Sequence, residues 1–135
     1  MLARTPRTLA AAVAALVVVS CGGDDDGAPG ASTAARDGQQ LALRSGCTAC
    51  HGADGEGGIG PAWAGSFGSQ VELTDGARVT VDEAYLTRSI TDPQVQVVAG
   101  YPTNMPENQL GDEEIGKIVD YIVSLDGTAA TDTAG

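Results

Sequence analysis

The segment Cys47-Thr48-Ala49-Cys50-His51 places two thiols three positions apart, with an imidazole directly after the second. This C-x-x-C-H spacing is typical of covalent haem attachment, because each thiol can form a thioether with one of the two haem vinyl groups. The histidine then lies where its imidazole can bind the iron from the proximal side. The sequence therefore predicts a chain that folds around one covalent haem c.

Two other uses of this motif need surroundings that the sequence does not supply. A thioredoxin-like C-x-x-C pair requires a βαβ pattern nearby, and none is visible. A zinc site requires four nitrogen or sulfur ligands, whereas Cys21 is the only further cysteine or histidine in the chain. Haem attachment is therefore the interpretation that we adopt.

Counting the candidate ligands predicts the second axial ligand of the iron. His51 is the only histidine, and the only methionines are Met1, within a predicted signal peptide, and Met105. Core packing is the ordinary role of methionine, but residues 100–106 include two prolines and have no helical or alternating apolar period. A histidine and a methionine on the iron are typical of cytochromes c. We therefore predict His51 and Met105 as the metal ligands.

The residues that follow the motif are expected to complete the haem pocket. Five of the nine residues from 52 to 60 are glycines, which suits a backbone that curls closely over a flat ligand. The carbonyl of Pro61 can accept the ring N–H of His51, and such a bond fixes the tautomer of an iron-bound imidazole. Trp63 and Phe67 are predicted to be core aromatics that pack against the porphyrin.

Residues 1–20 have the features of a secretory signal, with a basic start followed by an apolar run of eleven residues. That run is too short for a transmembrane helix of about 20 apolar residues. The small residues directly before Cys21 resemble a bacterial lipobox, so we predict that Cys21 is lipidated and anchors the protein to the membrane. The alternative is an ordinary cleavable signal that contains a cysteine. Either signal predicts an extracytoplasmic, periplasmic-side protein.

The chain is strongly acidic. Its formal charge of −11 becomes −13 without residues 1–20, which hold two of the seven basic residues and none of the 18 acidic ones. Such a field does not favour nucleic acid. It suits a basic docking partner, and it equally suits a protein that the charge merely keeps soluble.

The rest of the chain divides into a tether, one domain and a tail. Residues 21–36 are rich in glycine, alanine, serine and aspartate and are predicted to form a flexible tether. Residues 37–126 are predicted to be a single domain, and residues 127–135 a disordered tail. The first helix of the domain is expected to begin at Asp37 as its N-cap and to end at Gly46.

The elements after the haem motif can also be predicted. Alternating apolar and polar residues over 71–80, with an Asp-Gly pair as the turn, indicate a small hairpin. Thr80 and Glu83 have the spacing of a capping box, which predicts a helix that ends at Asp92, before a proline. A last helix has a 3.6-residue apolar period and three acidic residues at its N-terminal end. The apolar residues of this last helix are Ile115, Ile118, Val119, Ile122 and Leu125. We expect an all-α fold, with three to four helices around one haem and a minor hairpin.

These residues resemble a class I monohaem cytochrome c over about residues 38–125, and especially the cytochrome c domain of bacterial haem–copper oxidase subunit II. Besides the haem motif, the matching stretches are Leu73-Thr74-Asp75-Gly76, Thr80-Val81-Asp82-Glu83-Ala84-Tyr85-Leu86, Asp92-Pro93, Val98-Ala99-Gly100-Tyr101-Pro102, Met105-Pro106 and Asp112-Glu113-Glu114-Ile115. The resemblance implies that Cys47 and Cys50 carry the haem and that Tyr101 lies in its pocket with Pro61 and Trp63. It also implies that the first and last helices cross near Gly38 and Tyr121. The copper-binding domain of the oxidase subunit has no counterpart, so a stand-alone protein is expected.

The resemblance implies a one-electron carrier rather than an enzyme, with a terminal oxidase, a bc-type complex or a dehydrogenase as its redox partner. Two alternatives stay open. One is a haem sensor or peroxidase-like protein in which Met105 is displaced from the iron and Asn104 or Tyr101 acts beside it. The other is an electron-entry subunit bound permanently to a larger enzyme.

Overall fold

The structure, a computed structural model, describes residues 32–126. The predicted signal peptide, the lipidation site at Cys21, most of the predicted tether and the predicted tail lie outside the described residues. Four helices and one two-stranded antiparallel hairpin form the described fold, which confirms the predicted class. In chain order they are α1 (Thr33–Arg44), α2 (Thr48–His51), β1 (Gln70–Glu72), β2 (Arg78–Thr80), α3 (Glu83–Thr91) and α4 (Asp112–Ser124).

The N-cap of helix α1 lies five residues before the predicted one, so the predicted cap at Asp37 is wrong. Ser32 is the N-cap, with extended backbone angles (φ −63°, ψ 159°). Its hydroxyl accepts a hydrogen bond from the backbone N–H of Ala35 at 3.1 Å, which satisfies one of the free donors of the first turn. Residues 33–36, predicted as part of the tether, are therefore part of the helix.

Helices α1 and α4 pack against each other, and α3 packs against α4. The buried face of α1 consists of the small residues Ala35, Gly38 and Ala42, whereas Leu43 is exposed. The predicted apolar period of α4 is confirmed, since Ile115, Ile118, Val119 and Ile122 are buried and Leu125 packs partly buried against the core. Small residues on α1 and large ones on α4 allow the two helices to approach closely. No helix among residues 32–126 is long and apolar enough to cross a membrane.

The predicted hairpin is present, with Val71 opposite Val79 in the register of its two strands. Its connection is a three-residue loop, because the N–H of Leu73 still bonds to the carbonyl of Ala77 at 2.8 Å. The N–H of Gly76 bonds back to the Leu73 carbonyl at 2.9 Å, and Gly76 has the positive φ of 85° that such a loop requires. Glycine is suited to that position because it has no Cβ.

Helix α3 ends at the predicted point, where Asp92 precedes the buried Pro93. The predicted capping box between Thr80 and Glu83 is wrong. Asp82 is the N-cap, and its carboxylate accepts the N–H of Tyr85 at 2.7 Å. Thr80 is the last residue of β2, paired with Gln70, and it lies too far from the first helical residue, Glu83, to be its cap. The helix therefore begins two residues later than the predicted capping box requires.

Candidate functional site

The C-x-x-C-H motif lies on one helical turn that directly follows α1. The N–H of Cys47 bonds to the carbonyl of Ala42 in α1 at 3.0 Å, and the N–H of His51 bonds to the carbonyl of Cys47 at 3.1 Å. Residues three apart on a helix lie on the same face, so the helical turn directs Cys47 and Cys50 to one side. Both thiols are free and half-buried.

The imidazole of His51 is held on two sides. Its Nδ1 lies 2.7 Å from the carbonyl oxygen of Pro61, the contact expected from the sequence. The ring also stacks on Trp63, with ring centroids 4.5 Å apart and planes inclined by 18°. A carbonyl oxygen can only accept, so this contact requires the proton on Nδ1 and leaves the lone pair of a neutral ring on Nε2. The ring is thereby prepared to bind a metal through Nε2.

Burial sets the protonation of these groups. Desolvation lowers the pKa of His51, although the Pro61 carbonyl opposes that change by favouring the protonated ring. A neutral imidazole is the form that binds iron. Burial raises the pKa of the Cys47 thiol, with its own backbone N–H acting in the opposite direction. At neutral pH this thiol is therefore protonated.

The glycine-rich loop after the motif folds back over the end of α2. The N–H of Gly60 bonds to the carbonyl of Cys50 at 3.0 Å, and the N–H of Gly57 bonds to that of His51 at 2.7 Å. A Cβ at Gly58 would lie 2.9 Å from the Cys50 carbonyl oxygen, too close for any other residue without a shift. The glycines thus allow a close approach to the backbone of the motif itself, whose end carbonyls the loop satisfies, while the predicted approach to a flat ligand stays a prediction.

Met105 lies in a loop whose first residues are hydrogen-bonded to the hairpin. The N–H of Thr74 bonds to the carbonyl of Val97, and the N–H of Ala99 bonds to that of Glu72, both at 2.9 Å. These bonds place the start of the loop beside β1. Met105 itself is half-buried and packs against the core.

One cavity of about 250 Å³ brings together the haem-site residues that the sequence predicts within the described part of the chain, with the exception of Phe67. Its lining includes Cys47, Cys50, His51, Pro61, Trp63, Tyr101 and Met105. Apolar residues of the core complete the walls, among them Leu86, Ile90, Ile118 and Ile122. Phe67 packs against the core but is not part of this lining. Its predicted place among the core aromatics is confirmed, and its contact with the porphyrin stays a prediction.

The cavity suits a covalent haem on the basis of its own residues. It combines two thiols, a neutral imidazole and a thioether, the donor set that haem iron and its vinyl groups require. Its walls are mostly apolar, which suits a large flat hydrophobic ring. Gln96 also lines the cavity, and its side-chain oxygen is buried without a hydrogen-bond partner among the described residues.

Two amide side chains that no sequence pattern predicts hold the Met105 loop. Gln94 donates to the carbonyl of Met105 at 2.7 Å, and Asn108 donates to the carbonyl of Ile90 at 2.7 Å. Neither residue belongs to a motif or an apolar period. The only local signal is that Gln94 follows the Asp-Pro pair that ends α3, which favours a turn at this point.

Comparison with known proteins agrees with this site. The family model described as Cytochrome c matches residues 35–126, which is well over half of the chain. A search of curated proteins found no match. The matched range begins two residues into α1 and ends just after α4, so it covers the cavity and both of its candidate iron ligands.

Proposed function

The chain belongs to the cytochrome c family, and from that premise we propose that this haem-based electron-transfer protein binds its iron through His51 and Met105. The cofactor of the family is a covalent haem c, and we assign its two thioether bonds to Cys47 and Cys50. When bound, haem c supplies an iron that alternates between Fe(III) and Fe(II) and so accepts or releases one electron. The observation that carries the assignment is that both cysteines, His51 and Met105 line one cavity.

His51 acts as the proximal ligand through Nε2. The 2.7 Å contact of its Nδ1 with Pro61 fixes both the tautomer and the plane of the ring, and the Trp63 stack restricts its tilt. An imidazole held in this way keeps the same geometry in both oxidation states. Little reorganisation is then needed when an electron arrives or leaves.

Met105 acts as the distal ligand and keeps other ligands out. A thioether on the iron raises the reduction potential and leaves no open position for substrate. Tyr101 and Asn104 also line the cavity near Met105 in the sequence. These two side chains could take part in chemistry at the iron only if the Met105 thioether dissociated from the iron. That is the alternative of a haem sensor or peroxidase-like protein.

We further propose that the protein works outside the cytoplasm, tethered to the membrane by lipid on Cys21. The support is the lipobox-like sequence before Cys21 and the covalent attachment of the cofactor, which cannot diffuse away. A tether raises the effective concentration of the carrier near membrane complexes. The resemblance to an oxidase subunit II domain and the acidic surface favour a basic site on a terminal oxidase, a bc-type complex or a dehydrogenase as the partner.

Visible spectra of the oxidised and reduced protein, with carbon monoxide added to the reduced form, test the ligands. We expect a low-spin spectrum, the weak long-wavelength band of a methionine-sulfur–Fe(III) bond, and no change with carbon monoxide. The Met105→Ala variant should lose that band and bind carbon monoxide at once. Leu110→Ala is the matched control, because Leu110 also lines the cavity but has no donor atom, and it should keep the band. A high-spin wild-type spectrum, or a prompt carbon monoxide shift, would overturn the His51/Met105 assignment.

The location is tested by membrane fractionation of the full chain and of its Cys21→Ser variant. We expect the wild type in the membrane fraction and the variant released from it. Membrane extraction followed by sizing then separates a free carrier from a permanent electron-entry subunit. Retention of the Cys21→Ser variant by the membrane would contradict the lipid tether.

A further inference from the structure

The segment that carries Met105 has no backbone hydrogen bonds of its own. From residue 100 to residue 110, no backbone–backbone hydrogen bond is formed within the described part of the chain. Pro102 and Pro106 lack the N–H altogether. A loop with so little internal bonding cannot hold a side chain in one place unless other groups fix it.

Gln94 supplies the contact nearest to the proposed ligand. Its Nε2 donates to the backbone carbonyl of Met105 at 2.7 Å, while its Oε1 accepts from Nδ2 of Asn104 at 3.2 Å. The Gln94 amide thus forms hydrogen bonds with two consecutive residues of the loop, one as donor and one as acceptor. Two bonds from one rigid amide plane fix the orientation of the Asn104–Met105 unit as well as its position.

The backbone of Gln94 is itself fixed by the end of α3. It follows Pro93, which is buried, and the N–H of Val95 bonds to the carbonyl of Asp92 at 3.1 Å to close a turn. The N–H of Asp92 in turn bonds to the carbonyl of Arg88 in the last turn of α3, at 2.8 Å. Gln94 therefore transmits the position of a packed helix to the Met105 loop.

A second amide attaches the other side of the loop to the same helix. Nδ2 of Asn108 donates to the carbonyl of Ile90 at 2.7 Å, one of the carbonyls that a helix end leaves without a partner. Its Oδ1 accepts the N–H of Leu110 at 3.1 Å. The residues on both sides of Met105 are thus connected to the C-terminal end of α3.

We propose that Gln94 is a positioning residue that holds the Met105 thioether on the iron and so sets how easily another ligand displaces it. The inference rests on Met105 being the distal ligand, as in the proposed function. Without the Gln94 side chain, the Met105 loop would be more flexible when the thioether is not bound to the iron. Binding of the thioether would then cost more conformational entropy, because the loop must become ordered. Preorganisation by Gln94 reduces that ordering cost and favours the bound thioether.

The test is an imidazole titration of the oxidised holoprotein, following the methionine-sulfur–Fe(III) band. The loss of a hydrogen bond worth about 0.5–1.5 kcal/mol predicts that Gln94→Ala binds imidazole about two- to thirteenfold more tightly than the wild type. Gln94→Glu has the same shape but cannot donate to the Met105 carbonyl once ionised, so it should bind imidazole at least as tightly as Gln94→Ala. Gln109→Ala is the matched control, since within residues 32–126 the exposed Gln109 amide bonds only to the carbonyl of its neighbour Asn108. It should titrate like the wild type.

The outcomes distinguish this inference from the function on which it rests. A wild type without the methionine band would overturn the ligation itself. A wild type with the band, and a Gln94→Ala variant that titrates like Gln109→Ala, would overturn the role of Gln94 alone. A merely structural role would lower the temperature of unfolding but leave the imidazole affinity unchanged well below that temperature. An increase in imidazole affinity in both Gln94 variants would support the proposal.

Discussion

The α-carbon of Gly38 in α1 lies directly against the backbone carbonyl of Lys117 in α4. A Cβ built on Gly38 would lie 1.8 Å from that oxygen and 2.9 Å from the Cβ of Tyr121. The two helices therefore touch backbone to backbone at this point, as the resemblance to class I cytochromes c implied. Because the nearest atom belongs to the main chain, no rotamer change can make room for a side chain.

We expect Gly38→Ala to destabilise the protein by about 3 kcal/mol, because the two helices must move apart to admit the methyl group. Gly116→Ala is the matched control, since Gly116 lies in α4 and a Cβ added to it would have no neighbour within 4 Å. Alanine there should stabilise by about 0.5–1 kcal/mol through helix propensity. Guanidinium unfolding of the two holoproteins gives both values. Equal effects at the two glycines would contradict the close crossing.

The cap of α3 gives a second prediction. Asp82→Ala should cost about 1 kcal/mol, because the N–H of Tyr85 loses the carboxylate that it bonds at 2.7 Å. Thr80→Ala should change stability by less than about 0.5 kcal/mol, since Thr80 is exposed and its backbone pairing with Gln70 is kept. Thermal unfolding of both variants measures the difference. A larger loss of stability in Thr80→Ala than in Asp82→Ala would instead support the capping box that the sequence predicted.

Stability is predicted to fall in alkaline solution because of Tyr121. Burial raises the pKa of this phenol, and the nearby carboxylate of Asp54 adds to the increase. The folded state thus favours the neutral phenol, so its contribution is fully present below the ordinary pKa of about 10. It is lost as pH rises from there through the raised folded pKa. Guanidinium unfolding of Tyr121→Phe across that window should show a shallower decline than the wild type. Identical declines would exclude Tyr121 as the cause.

Loss of the haem should leave the fold without much of its core. Without the haem, the apolar walls of a cavity of about 250 Å³ would lose their packing partner and be exposed to water, and a domain of this size has little other core to compensate. We therefore expect a Cys47→Ser/Cys50→Ser variant, purified without haem, to show no cooperative thermal transition. Circular dichroism, with the wild-type holoprotein as the reference, measures this. Native-like cooperative unfolding of the variant would contradict the prediction.

Local patterns predicted the elements whose partners lie close together in the chain. The C-x-x-C-H spacing determines a shared helical face, and Pro61 is only ten residues from His51, within the reach of a short loop. The apolar period of α4 and the Asp-Pro end of α3 likewise depend on neighbouring residues alone. The sequence could not show that α1 begins at Thr33, because its buried face consists of alanine and glycine. Such a face has almost no hydrophobic signal until α4 packs against it.

By itself, the sequence determined the kind of cofactor and the candidate ligands, since His51 and Met105 follow from spacing and from the scarcity of other donors. Only the tertiary structure decided what holds Met105 in place. Gln94 lies eleven residues from Met105, and Asn108 lies 18 residues from Ile90, so these bonds exist because α3 and the loop pack side by side. A polar side chain has no periodic signature, and its partner is determined by packing rather than by its neighbours in the chain.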